Sequence, residues 1–197
     1  MKRLIGIFTA AVLCMLPTLA LASIWNIDQE HSNIGFKVRH LMVSNVKGSF
    51  SKVQGIINID EKDLTRSSAK VTIDTASIDT GVDKRDAHLR SPDFLDVDKF
   101  PTMTFVSTKV AKNGKGRLKV TGDLTLHGVT RPVILDVEEL SREGKDPMGN
   151  LRRGASATTK ISRKDFGIGW NKVLETGGVV VGDEIAISID IEIIKAK

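Results

Sequence analysis

Three observations predict an all-β fold, an extended antiparallel barrel of eight strands with one helical or loop connection. Apolar and polar residues alternate with period two through most of the chain. Short turn motifs separate the alternating runs. Only residues 80–102 break the pattern and read as helix and loop. Alternation of this kind marks antiparallel strands with one dry and one wet face. Eight such strands suggest a closed barrel, which either holds one small ligand or fills itself with side chains. A two-sheet sandwich is the competing architecture.

The elements follow in chain order. Ile34, Phe36, Val38 and His40 share one strand face, opposite Gly35, Lys37 and Arg39. Residues 43–60 read as extended throughout, with Gly48 and Gly55 as bends or bulges. Val71 and Ile73 alternate with Lys70, Thr72 and Asp74. Asp83–Arg90 contains good helix formers, and Pro92 stops it. Ser91 or Asp93 stands where it can cap a short turn through Phe94-Leu95. Asn113-Gly114-Lys115-Gly116 separates a strand at Met103–Ala111 from one at Gly116–Leu126, whose dry face is Leu118, Val120, Gly122, Leu124 and Leu126. His127-Gly128 leads into Pro132–Leu140, and Asp146-Pro147-Met148-Gly149-Asn150 into Gly154–Ser162. Ile185, Ile187, Ile189, Ile191 and Ile193 complete the series.

The 197 residues contain one Cys, no Tyr, and 29 Lys+Arg against 24 Asp+Glu. The first 22 read as a cleaved signal peptide: Lys2 and Arg3, an apolar run Leu4–Leu16, Pro17, and an Ala20-Leu21-Ala22 cleavage site. An uncleaved anchor is the alternative, since Leu4–Ala22 carries no charge. Leu13 before Cys14 is not the small residue that a lipoprotein signal wants. On this reading residues 23–197 form a single periplasmic domain. Cleavage removes two bases, no acid and the only cysteine, leaving 175 residues at +3. That chain has no disulfide, no cysteine zinc site, and too little charge to argue for nucleic acid.

Catalytic signatures are missing. There is no Gly-x-Ser-x-Gly, no His-Glu-x-x-His, no phosphate loop and no dinucleotide fingerprint. His31, His40, His88 and His127 have no local metal-pair spacing, so no metal site is assigned. His31 and Ser32 are strand neighbours that point to opposite faces. Residues 142–164 carry seven bases against Glu143 and Asp146, a local +5. They read either as a solvated hairpin or as a face for anionic head groups. Phe94, Leu95 and Phe100 are more apolar than a solvated connection needs. They pack across or into the barrel opening, either as a plug or as part of a pocket.

The run from Trp25 to His40 resembles the opening of YceI-like proteins. Gly48-Ser49-Phe50, Ser77-Ile78-Asp79-Thr80, Arg85–Phe94, Phe100-Pro101, Gly122–Val133 and Arg163–Gly167 match as well, in family order. Leu95 departs from the family pattern, which often has a second Phe there. The resemblance spans about Ile24 to Ile194. It implies an exported, lipocalin-like eight-stranded barrel that binds a polyisoprenoid lipid, such as an isoprenoid quinone or a polyprenyl phosphate, without enzymatic activity or a required cofactor. Some members are dimeric. Joined to the dry-face pattern, it selects Phe36, Val38, Phe50, Ile73, Leu89, Phe94, Phe100, Phe105 and Leu126 as an apolar tail pocket. Arg39, His40, Arg85, Asp86 and His88 are candidates for a head-group rim, against a salt-bridged surface helix for the last three. The competing functions are a side-chain-filled structural or stress-related protein and a lipid-modifying enzyme.

Overall fold

The computed structural model describes residues 22–197 apart from Glu139 and Thr176. The proposed export signal therefore lies outside the described residues, except for Ala22. The strands are β1 (Ser23–His40), β2 (Ser44–Phe50), β3 (Val53–Ile59), β4 (Ser68–Asp74), β5 (Ile78–Asp79), β6 (Thr102–Lys112), β7 (Leu118–Leu126), β8 (Val129–Val137), β9 (Gly144–Lys145), β10 (Leu151–Ser162) and β11 (Val181–Lys195). Among the described residues the one α-helix, α1 (Asp83–Arg90), follows β5.

Antiparallel ladders join β1, β3, β4, β6, β7, β8, β10 and β11 in that order. The ladder between β11 and β1, from Trp25↔Lys195 to His40↔Val181, closes the circle. Eight strands therefore form a barrel, and the sandwich is excluded. The inward face carries the predicted apolar set because side chains alternate along each strand.

Residues 43–60 are not one extended strand. They break at Ser51-Lys52, where β2 ends and β3 begins. The two pieces pair with opposite halves of β1, Phe50 opposite Ile34 and Ile56 opposite Asn26. Gly48 and Gly55 lie within the strands, not at the break. They are there for close approach: a Cβ on Gly48 would stand 2.5 Å from Phe36 Cζ, and one on Gly55 2.7 Å from the Lys70 carbonyl oxygen. β2 pairs with β5 and leaves β4 to β3, so the wall has an opening there. The predicted 80–102 connection fills it. Phe94 and Leu95 are buried, and Arg90 donates to the carbonyls of Ala76 and Ile78. The Thr75 hydroxyl donates to the Phe100 carbonyl at 2.7 Å.

The barrel has two unlike ends. At the base, Trp25 is fully buried with Ile59 and Ile193. Arg153 and Lys195 sit over its ring. At the mouth stand the 41–43 turn, the His127-Gly128 turn, the 163–180 loop and the plug formed by α1 with residues 91–101.

Candidate functional site in the barrel interior

The inward faces enclose a cavity of about 330 Å³. It runs from Leu64 and Leu140 at the base, past Phe36, Phe105 and Ile189, to Leu89, Phe94 and Ile168 at the mouth. Phe36, Val38, Ile187 and Ile189 point inward yet keep accessible surface, because the space they face is hollow. Such a volume falls within the usual range for ligand pockets, about 300–1,000 Å³.

Of the predicted tail residues, Phe36, Val38, Phe50, Ile73, Leu89, Phe94, Phe105 and Leu126 line this cavity. Phe100 does not. Its ring lies on Gly128, where a Cβ would stand 2.5 Å from Phe100 Cε1, and against the His127 ring at 4.7 Å. Thr75 holds the Phe100 backbone, and Gly128, having no Cβ, leaves the space for the ring. The residue closes a corner of the mouth from outside the cavity.

The rim candidates are not brought together. Arg39 is exposed and donates to the Met42 carbonyl at 2.9 Å. His40 ends β1 opposite Ser44 and Val181 and does not line the cavity. Arg85 donates to the Thr80 hydroxyl at 2.7 Å and to its carbonyl at 2.9 Å. Asp86 is buried and accepts from the Thr80 amide and hydroxyl. These two side chains fasten the start of α1. His88 Nε2 meets an Asp93 carboxylate oxygen at 2.9 Å, and its ring stands edge-on to Phe94 and Trp170, each at 4.9 Å. Of the five, His88 alone packs on the aromatic cluster at the mouth.

Arg163 was missed as a pocket residue. Among the described residues it is the one charged side chain in the lining, and it is only 3% exposed. Its Nε donates to Gly182 O, its Nη1 to Ile168 O and Trp170 O, and its Nη2 to Val181 O and Asp183 Oδ1. Burial pushes its pKa down, and the Asp183 carboxylate opposes that shift. The guanidinium is thus spent on tying the 163–180 loop to β11. Within that loop Trp170 reaches back to Phe94 at 5.1 Å. The sequence signal was the Arg163–Gly167 motif, in which Gly167 holds φ +76 and its amide reaches back to the Lys164 carbonyl.

The basic stretch 142–164 does not form one face. Arg142 and Lys145 belong to the base, whereas Lys160, Arg163 and Lys164 belong to the mouth, with the length of β10 between them. Its charges are mostly paired across strands. Arg152 binds Asp28, Asp146 and Glu192; Arg153 pairs with Glu61, Lys160 with Glu184 and Lys164 with Asp183. Asp28, His31 and Glu192 stand close enough to share a cation. The Arg152 guanidinium already binds both carboxylates, and its charge opposes a metal there.

A sequence profile for the YceI-like domain matches residues 25–193. The chain belongs to the YceI-like family. Among its relatives is a UPF0312 protein of Vibrio cholerae, 43% identical over 169 residues, which are 85% of this chain and 88% of the relative. The crystal structure of Burkholderia cenocepacia BcnA aligns with a TM-score of 0.74 at 25% identity, covering 84% of this chain and 98% of that one. A structure described as a polyisoprenoid binding domain from Saccharophagus degradans aligns with a TM-score of 0.64, covering 89% of this chain and 99% of that one. At 17% identity that likeness shows the shared YceI-type barrel alone.

Proposed function

We propose that this YceI-like barrel binds the tail of a polyisoprenoid lipid, an isoprenoid quinone or a polyprenyl phosphate, and carries or sequesters it in the periplasm without chemical change. The hollow carries this reading. An unfilled apolar cavity forfeits roughly 24 cal/mol per Å³, so the 330 Å³ here corresponds to about 8 kcal/mol. That is comparable to the whole net stability of a domain, about 5–15 kcal/mol. A barrel serving only as a structural element would gain by filling it.

The lining favours a long, irregular apolar ligand. Its few polar members among the described residues are Ser67, Ser68, Thr159 and the fully engaged Arg163. Among the described residues the interior brings together no acid–base pair, which supports binding over catalysis. The description of the Saccharophagus neighbour as polyisoprenoid-binding supports the same ligand class. The periplasmic assignment rests on the reading of residues 1–22 as an export signal.

Native mass spectrometry with organic extraction of protein from its own periplasm tests the proposal. The expected result is a co-purifying prenyl lipid at near one per barrel. A protein that comes out empty and takes up no added prenyl quinone sinks it. Phe36→Asp with Phe105→Asp should abolish retention in a folded barrel, since both rings line the hollow.

A further inference from the structure

Two loop tips at the mouth expose apolar side chains. Leu41, Met42 and Val43 at the β1–β2 turn are 37%, 41% and 75% exposed, and Val173 in the 163–180 loop is 84% exposed. The tips are joined. The Leu41 amide donates to the Val180 carbonyl at 2.8 Å, and Gly178 faces Met42, where a Cβ would stand 3.4 Å from its Cγ. Val38, three residues before Leu41, and Val181, next to Val180, line the cavity.

Folding stability alone does not account for the ledge. Leu41 and Met42 hold φ values of +49 and +60, and the Val43 amide closes the turn on the His40 carbonyl. The ladder pairs His40 with Ser44, so three residues make the turn, and the left-handed backbone of Leu41 and Met42 suits Gly or Asn better than two large apolar side chains. On the same hairpin Lys37 stands directly opposite Lys47, a like-charge pair that weakens a sheet. Lys37, Arg39, Lys47 and, on the second tip, Lys172 are all exposed. No Asp or Glu occurs between His31 and Ile59, and Glu175 is the sole acid from Phe166 to Gly182. An apolar tip flanked by bases is complementary to an anionic bilayer surface: the side chains enter the acyl boundary while the lysines meet the head groups.

We infer that the Leu41–Val43 and Val173 ledge docks the barrel mouth onto an anionic phospholipid bilayer. The inference extends the lipid-carrier reading by naming where exchange with a membrane occurs, but its test does not need a prenyl ligand. The measurement is co-flotation with vesicles of phosphatidylglycerol and phosphatidylethanolamine that contain no prenyl lipid. The wild-type protein should float with them and stay behind with pure phosphatidylcholine.

The double variant Leu41→Asn, Met42→Gly relaxes the turn, so it should fold at least as stably while losing at least about tenfold in binding. Lys47→Glu and Lys172→Glu should each lower binding by about fivefold or more at low salt. Failure of the wild type to float, equal binding to both vesicle types, or undiminished binding by the Asn-Gly variant overturns the inference. Prenyl quinone uptake from detergent micelles, measured on the same proteins, reports on the cavity separately. Wild type and Asn-Gly variant should take it up equally. Uptake lost in the variant alone would assign the ledge to ligand entry and overturn the docking role; no uptake by either would remove the carrier reading and leave the flotation result standing.

Discussion

At the base of the barrel, Trp25 is fully buried against Ile59 and Ile193, and Arg152 ties together carboxylates from β1, the 145–150 turn and β11. At the mouth, Leu41 and Met42 hold positive φ, Val43 and Val173 are bare, and the residues below the plug face empty space. The base is closely packed and ion-paired, with the buried Arg153 Nε as its one unsatisfied group among the described residues. The mouth breaks several local rules of stability within a few residues. Violations of this kind concentrate where function needs them and are offset elsewhere in the fold. On the proposed carrier reading, the base holds the barrel closed and the mouth admits the ligand.

The largest expected effect comes from breaking the base. Trp25→Ala should cost about 3–5 kcal/mol of stability, read by urea unfolding, while lipid bound per folded barrel stays the same. A loss of lipid at unchanged stability would invert the roles of the two ends. Next is Arg163→Met, which leaves the carbonyls of Ile168, Trp170 and Gly182 without their donor. It should cost about 2–3 kcal/mol, raise hydrogen exchange across 163–182 and speed lipid release. Exchange that rises evenly over the barrel would show that Arg163 is not specific to the mouth.

A smaller effect of opposite sign is expected from Val120→Phe, which places a ring in the hollow. The empty protein should gain about 1–2 kcal/mol and take up less prenyl quinone. Equal uptake would mean that the tail lies elsewhere.

The smallest effect is pH-dependent. Hydrogen bonding from Arg152 holds the Asp146 and Asp28 carboxyls below the usual carboxylate range. Their folded-state values lie below the unfolded one, near 4. Their contribution is therefore complete above about pH 4 and is lost as pH falls through the folded values. The urea midpoint of Asp146→Asn should lie below the wild type at pH 7, and the gap should shrink below pH 4. A gap independent of pH would show that the ion cluster at the base is not the cause.

Much of the pocket was legible because strand alternation is local. Placing Phe36 on a dry face required only its neighbours Gly35 and Lys37, and Leu126 followed from the same count along β7. The failures are non-local. Phe100 was assigned to the pocket from its apolar character, but its position depends on Thr75 and Gly128, 25 and 28 residues away. The net positive charge of 142–164 was real in the sequence, yet Asp28, Glu61 and Asp183 lie outside that stretch and pair with its bases. Arg85 and Asp86 are free to meet a head group by sequence alone, but Thr80 engages both in the fold.

The sequence by itself determined most of the strands, their dry face, the helix near 83–90 and the family, because periodicity, turn chemistry and ordered motifs are written along the chain; the strand read at Pro132–Leu140 begins instead at Val129, directly after the His127-Gly128 turn. Only the tertiary structure decided that β1 and β11 close the barrel, that β2 parts from β3 at Ser51-Lys52, and that the interior is hollow. Closure is a pairing between the two ends of the described chain. A cavity is the difference between the space the wall encloses and the side chains that fill it, and no single segment contains either quantity.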